Sequence, residues 1–166
     1  MVEEDRIYED EYGFGAAIEY VGVSSCTTIT LHLDDDTLLG IHAAVGTTEE
    51  ILTLLLAQID QVRALRAVRQ IYFVGDLTTF GYERGTGEAR GSGWVGSRTY
   101  GSAPRLFNAV DSRFRGGIAR GGSRCFNHGP GEDRDYRLSA VAAGITLEYR
   151  AAGSQAVWTQ AAVHRC

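Results

Sequence analysis

The sequence predicts a single α+β domain in which two helices pack on a mostly antiparallel β-sheet or sandwich. Three observations lead to this fold class: several segments alternate apolar and polar residues as strands do, two segments carry helix signals, and strands precede, separate and follow these helices. The chain has 166 residues, 44% of them hydrophobic, which is enough for one domain with its own core. We therefore treat residues 1–166 as one domain.

In the first half of the chain, four strands are expected, over residues 14–23, 27–33, 37–45 and 70–74. The triplet Asp34, Asp35 and Asp36 predicts a turn between the second and third of these strands. Thr47 followed by Glu50 has the spacing of a capping box, and apolar residues then recur at helical spacing. These signals predict an amphipathic helix over 48–69.

The second half of the chain contains one helix signal and two strand patterns. Pro104 is typical of a first helical position, and it predicts a helix that ends near Arg115, before two glycines. Two final strands are expected, over 136–150 and 155–164. The glycine-rich stretches 81–101 and 116–130 are interpreted as long surface loops.

The register of the predicted hairpin around Asp34–Asp36 brings two chemically interesting residues together. If the loop has three residues, Leu33 faces Thr37 and Thr28 faces His42. This register gathers five apolar side chains on one face, and such a pattern specifies strand pairing. The opposite face then holds Cys26, Thr28, Thr30, His32 and His42. Cys26 lies diagonally across from His42, at a Cα separation of roughly 7–8 Å.

A cysteine beside a histidine is a candidate nucleophile. The imidazole favours the thiolate that attacks a carbonyl carbon, and it then protonates the leaving amine. The alternative is a small packing cysteine and a hydrogen-bonded histidine that share a hairpin.

The residues around Cys26 resemble a known enzyme group. The segment Gly22-Val23-Ser24-Ser25-Cys26-Thr27, followed by Gly40-Ile41-His42, resembles the nucleophile strand and the following histidine strand of CheD chemoreceptor deamidases. Val23-Ser24-Ser25-Cys26 is also similar to the nucleophile strand of the cytotoxic necrotizing factors. The resemblance implies a protein-glutamine deamidase with a CheD-like or necrotizing-factor-like fold and no cofactor.

The same resemblance implies roles for individual residues. Cys26 is the nucleophile and His42 the general base and acid, while backbone N–H groups around Cys26, from Ser25 to Thr27, are candidate oxyanion donors. CheD enzymes use a threonine six positions before the cysteine, where this chain has Tyr20. Tyr20 is therefore a candidate for orienting the imidazole, and Asp76 is a weaker one. In the toxins a distant backbone carbonyl orients the histidine instead.

The charged residues of the chain bear on its catalytic chemistry and on the kind of partner it binds. All sixteen cationic side chains are arginines, which excludes lysine-based catalysis and reflects either a coding bias or an effector that avoids ubiquitination. The net charge is −5, yet residues 84–124 carry eight arginines, which would steer an acidic protein or, less expectedly, a nucleic acid. By analogy, the protein substrate with its reactive glutamine is a Rho-type small GTPase.

The absence of membrane-span and signal patterns bears on where the protein is located. No segment has the length of a membrane span or the character of a secretory signal. We expect a secreted bacterial effector that acts in the host cytosol, or otherwise a cytoplasmic protein.

Cys125 and Cys166 are either a disulfide or, more simply, free thiols. The Cys125 and His128 pair is half of a metal site without a second half, so no metal is expected.

Two other functions remain open at this point. One is a non-catalytic module in which Cys26 and His42 are packing residues and the arginines bind an acidic protein or a nucleic acid. The other is a cysteine peptidase or acyltransferase that uses the same pair.

Overall fold

The computed structural model describes residues 5–44, 46–78, 103–115 and 123–166. The strands are β1 (Arg6–Ile7), β2 (Tyr12–Gly15), β3 (Ala17–Val23), β4 (Thr27–Leu33), β5 (Leu38–Ala43), β6 (Val68–Gly75), β7 (Arg124–Asn127), β8 (Arg134–Val141), β9 (Gly144–Ala151), β10 (Thr159–Ala161) and β11 (His164–Arg165). The helices are α1 (Glu49–Arg63) and α2 (Ala103–Arg115). None of the described helices has the length and apolar character needed to cross a membrane.

The strands form two sheets that pack face to face. One sheet has six strands in the order β11-β7-β6-β4-β5-β2, and the other has five in the order β1-β3-β8-β9-β10. Neighbouring strands are antiparallel except in the pairs β1 with β3 and β6 with β7. One apolar cluster fills the space between the sheets, and a second lies between the six-stranded sheet and the two helices. The predicted α+β class with two packed helices is confirmed.

The hairpin of β4 and β5 has the predicted register. Thr28 pairs with His42 and Ile29 with Ile41, and the Leu33 amide donates to the Thr37 carbonyl. The apolar face of the hairpin packs toward the helices, as part of the second cluster. Its other face is not solvated, however, because the five-stranded sheet covers it and all seven residues of β4 are buried. The alternation along Thr27–Leu33 therefore separates two buried layers, not a buried face from a solvated one.

Helix α1 is shorter than the prediction and is capped one residue later. The side chain of Thr48, not Thr47, accepts a hydrogen bond from the Ile51 amide. The helix ends because Ala64 adopts a positive φ of 55°, so the following Leu65 lies fully exposed and not on the apolar face. The buried face consists of Leu52, Leu55, Leu56 and Ile59.

Other predicted boundaries also need correction. The expected first strand is divided between β2 and β3, which belong to different sheets. The expected strand over 136–150 is a hairpin, in which β8 and β9 meet at a turn before Gly144. The expected strand over 155–164 is replaced by two short strands: β10 lies within this range, and β11 begins at its last residue. The helix near 104–115 is confirmed, the predicted loop over 116–130 contains β7, and the predicted loop over 81–101 lies outside the described residues.

Cys125 and Cys166 form a disulfide that joins β7 to the C-terminus, so the simpler expectation of free thiols was wrong. His164 pairs with Cys125 across β11 and β7, which places the two cysteines near each other. Among the three cysteines, this bond leaves Cys26 as the free thiol. A disulfide of this kind is typical of proteins that pass through an oxidising compartment.

Gly40 permits the closest contact between the two sheets near the hairpin. Tyr20 of β3 reaches across to donate to the Ile29 carbonyl at 3.2 Å and to share a 2.6 Å hydrogen bond with the Thr30 hydroxyl. A Cβ at position 40 would overlap the Tyr20 hydroxyl and come within 2.8 Å of the Ile18 side chain. The glycine of the Gly-Ile-His segment therefore makes room for Tyr20.

We expect Gly40→Ala to lower the free energy of unfolding by about 1–3 kcal/mol, because the added methyl group overpacks the layer between the sheets. Urea unfolding measures this change. Gly46→Ala is the matched control, since a Cβ there would meet nothing within 4 Å. Equal destabilisation by the two substitutions would contradict the assignment of Gly40 as a spacer for Tyr20.

Candidate active site

His42 lies in the layer between the two sheets and is completely buried. Its Nδ1 is 3.3 Å from the backbone carbonyl oxygen of Ile7, which belongs to the five-stranded sheet. The ring of Tyr20 contacts the imidazole edge-on, with the ring centroids 6.1 Å apart. The imidazole is therefore fixed from the opposite sheet by one carbonyl and one aromatic ring.

The Ile7 carbonyl determines which nitrogen of His42 carries the proton. A carbonyl only accepts, so Nδ1 must donate, and in the neutral ring Nε2 then carries the lone pair. Nε2 is buried and has no hydrogen-bond partner. Burial lowers the pKa of His42 and keeps the ring neutral at neutral pH. A buried acceptor without a partner costs roughly 1–3 kcal/mol, and a catalytic role is one of the explanations for such an exception.

Cys26 lies at the crossing from β3 to β4, where the chain passes from one sheet to the other. It belongs to the apolar cluster between the sheets and is only 3% exposed, although the preceding Ser25 is exposed. Burial raises the pKa of the Cys26 thiol to about 11, and nearby carboxylates, including Asp10, add to this effect. The backbone of Ser24 opposes it, because its amide favours the thiolate. The resting thiol is therefore protonated.

Cys26 and His42 occupy the same layer, as the predicted register requires. Thr28 pairs directly with His42, and Cys26, two residues earlier, lies on the same side of the hairpin and at a diagonal position. In the described structure no hydrogen bond joins the thiol to the imidazole, since Nδ1 bonds to Ile7 and Nε2 has no partner. The arrangement is a neutral thiol and a neutral base, not a preformed ion pair.

The backbone around Cys26 is held by the strand β6. The Asp76 amide donates to the Cys26 carbonyl at 2.9 Å. Gly75 has a φ of 141°, and a Cβ at this position would collide with the same carbonyl. A glycine is thus required where β6 approaches the candidate nucleophile. Asp76, which was a weak candidate for orienting the imidazole, accepts a hydrogen bond from Thr78 through its carboxylate.

His128 is a residue of the site that sequence reasoning missed. Its Nε2 donates to the Ser24 carbonyl at 2.9 Å, and its Nδ1 accepts from the Tyr136 hydroxyl at 2.6 Å. The His128 and Tyr136 rings are nearly parallel, with their centroids 5.8 Å apart, and burial lowers the pKa of His128. His128 therefore positions the peptide next to Cys26. No local signal predicts this contact, because it joins residues 104 positions apart.

The three candidate orienting or oxyanion residues lie in different places. The Tyr20 hydroxyl bonds to β4, so it contacts the imidazole by its ring and not by a hydrogen bond. Ser25 is exposed beside Cys26. The Thr27 side chain faces the helices, since it alternates with Cys26 and pairs with Ala43 of the other cluster. Its hydroxyl is buried without a hydrogen-bond partner.

The remaining histidines and cysteines are placed elsewhere. His32 shares the face of His42 but is not a surface residue, because it is buried and bonds to Asp36 at 2.9 Å. Cys125 forms the disulfide with Cys166, so its sulfur is not available to bind a metal together with His128. Among the described residues, no group of three or more His, Cys, Asp or Glu side chains has the arrangement of a metal site.

No protein-family model matches the chain, and no curated protein is significantly similar to it.

We expect the stability of the protein to fall as the pH drops below about 6.5, the ordinary pKa of histidine. Because burial lowers the folded-state pKa values of His42 and His128, the unfolded chain takes up protons first. Each such histidine contributes a slope of about 1.4 kcal/mol per pH unit between its unfolded and folded pKa values. Urea unfolding at pH 5 to 7.5 measures this slope.

In the variant His42→Gln, the slope of the unfolding free energy against pH should fall by about 1.4 kcal/mol per pH unit, because one histidine fewer takes up a proton on unfolding. The matched control is His164→Gln on the terminal strand. Parallel curves for the wild type and His42→Gln would show that His42 does not enter the folded state as a buried neutral ring.

Proposed function

We propose that the chain is a cysteine-dependent amide hydrolase that converts a glutamine side chain of a partner protein to glutamate. One observation carries the proposal: a buried neutral imidazole, held at Nδ1 by the Ile7 carbonyl, keeps an unpartnered Nε2 in the same layer as the free thiol Cys26. The carbonyl contact matches what the resemblance to the necrotizing factors implies for the orienting group.

The proposed reaction begins with the neutral pair. Nε2 of His42 accepts the thiol proton as the Cys26 sulfur attacks the carboxamide carbon, so that a C–S bond forms and the carbonyl becomes an oxyanion. The oxyanion collapses, the C–N bond breaks, and His42 returns the proton so that ammonia leaves. Water then hydrolyses the thioester, which yields glutamate and regenerates the thiol.

The electrostatics of the site favour general-base catalysis over a resting thiolate. A thiol with a pKa near 11 and an imidazole with a lowered pKa do not exchange a proton in the resting state. The proton therefore moves as the C–S bond forms, when negative charge passes from sulfur to the carbonyl oxygen. Backbone amides around Cys26, from Ser25 to Thr27, are the proposed donors to that oxygen.

Burial of the nucleophile sets a requirement on the partner. With 3% of Cys26 exposed, a glutamine side chain reaches the sulfur only if the end of the sandwich opens beside Ser25. A partner protein of the small GTPase type would supply the binding energy for that opening. The disulfide and the absence of lysine support a secreted effector as the source of this activity.

A second candidate function is supported by the same burial. Cys26 sits in an apolar cluster and its raised pKa disfavours the thiolate, as for a structural cysteine. In this alternative the chain is a non-catalytic binding module, and the Cys26 side chain only packs.

Mass spectrometry of Rho-type GTPases incubated with the chain distinguishes the two candidates. We expect amide-to-acid conversion at one glutamine, abolished by Cys26→Ser and reduced roughly 100-fold or more by His42→Gln, because the general base is lost. The control variant His164→Gln should keep the activity.

A partner that binds the wild-type chain, yet retains every glutamine as the amide, would contradict deamidation. If this binding also survives Cys26→Ala, the result supports the non-catalytic module. Cleavage of the partner's backbone, lost in Cys26→Ser, would instead identify a peptidase.

A further inference from the structure

We propose that a cleft at the opposite end of the sandwich from Cys26 binds a small oxyanion, the phosphate or carboxylate group of a small molecule. The cleft has a volume of about 550 Å³ and is lined by polar side chains and the turn before β9. The side chains are His32, Arg69, Gln70, Tyr72 and Arg124. Along the pair of β4 and β6, Cys26 lies beyond the end where Thr27 pairs with Gly75, and the cleft lies at the other end, where His32 pairs with Gln70.

A β-bulge turns the first arginine toward the cleft. His32 pairs with Gln70 but Leu33 pairs with Val68, so Arg69 is the extra residue on β6. Bulges redirect side chains in this way and are enriched next to binding sites. Arg69 donates to the Asp36 carboxylate at 2.8 Å and to the Asp34 carbonyl at 2.6 Å. These bonds order the guanidinium before any ligand arrives, which lowers the entropic cost of binding.

The second arginine comes from the neighbouring strand. Arg124 of β7 pairs in register with Tyr72 of β6, and its charge opposes the effect of burial on the pKa of Tyr72. The Tyr72 hydroxyl lies next to Gly144, in the turn that forms the facing wall. Two guanidinium groups and a phenol thus line one concavity. The Asp36 carboxylate, which bonds to both His32 and Arg69, lies beside it.

The chemistry of the lining selects the class of ligand. Guanidinium groups match the geometry of phosphate and carboxylate oxygens. The volume is in the range of roughly 300–1,000 Å³ that is typical of small-molecule sites, and a concave cleft suits such a ligand better than a flat protein surface. This site does not depend on Cys26 or on the proposed reaction.

Titration calorimetry and thermal unfolding of the full chain with inorganic phosphate, and separately with succinate, test the proposal at an ionic strength held constant with sodium chloride. We expect one of these anions to bind and to raise Tm. Arg69→Gln and Arg124→Gln should each weaken its affinity roughly tenfold or more, because each removes a charge-assisted hydrogen bond.

Arg137→Gln is the matched control, since Arg137 pairs with Glu148 on the other sheet and should leave binding unchanged. Cys26→Ser should also bind normally. Preference for phosphate or for succinate identifies which oxyanion the cleft takes. Arg69 is 46% exposed, so its glutamine variant is expected to fold even if Arg124→Gln does not. Binding of neither anion, or equal affinity in Arg69→Gln and the wild type, would overturn the proposal.

Discussion

The hydrogen bond from Nδ1 of His42 to the Ile7 carbonyl is the contact on which the candidate site depends. It joins the six-stranded sheet to the five-stranded one, and it specifies the tautomer that leaves a lone pair on Nε2. The short parallel pairing of β1 with β3 places the Ile7 carbonyl there, with Ile7 opposite Tyr20. Tyr20 in turn fits between the sheets because residue 40 is a glycine. A few contacts between the sheets therefore determine both the position of the imidazole and its chemistry.

The parts of the fold that depend on local pattern were predictable from the sequence. The hairpin of β4 and β5 was predicted in register, because alternation and a three-residue acidic turn together leave one pairing that buries the apolar residues. The end of α1 was not, because Ala64 adopts a backbone conformation that alanine seldom takes. Nor was the division of the strands between two sheets, since contacts between distant segments decide it.

The candidate site was predictable to the same limited extent. Alternation along the hairpin placed Cys26 and His42 on one face, but it did not reveal that a second sheet covers that face. That cover removes both groups from water, raises the pKa of the thiol to about 11 and lowers that of the imidazole. The carbonyl of Ile7 and the imidazole of His128 reach the site across 35 and 104 positions of the chain, and no local pattern encodes such contacts. Burial is thus the main difference between the predicted hairpin face and the observed layer between the two sheets. Because of this burial, the proposed chemistry depends on a partner that opens the site.

Nitrogen-15 NMR of the histidine side chains tests the central claim most directly, because it distinguishes the two neutral tautomers and the imidazolium ion. The structure predicts that His42 at pH 7 is neutral, with its proton on Nδ1 and a free lone pair on Nε2. A His42 ring protonated on Nε2, or on both nitrogens, would contradict the account, since neither form has a base available for the Cys26 thiol.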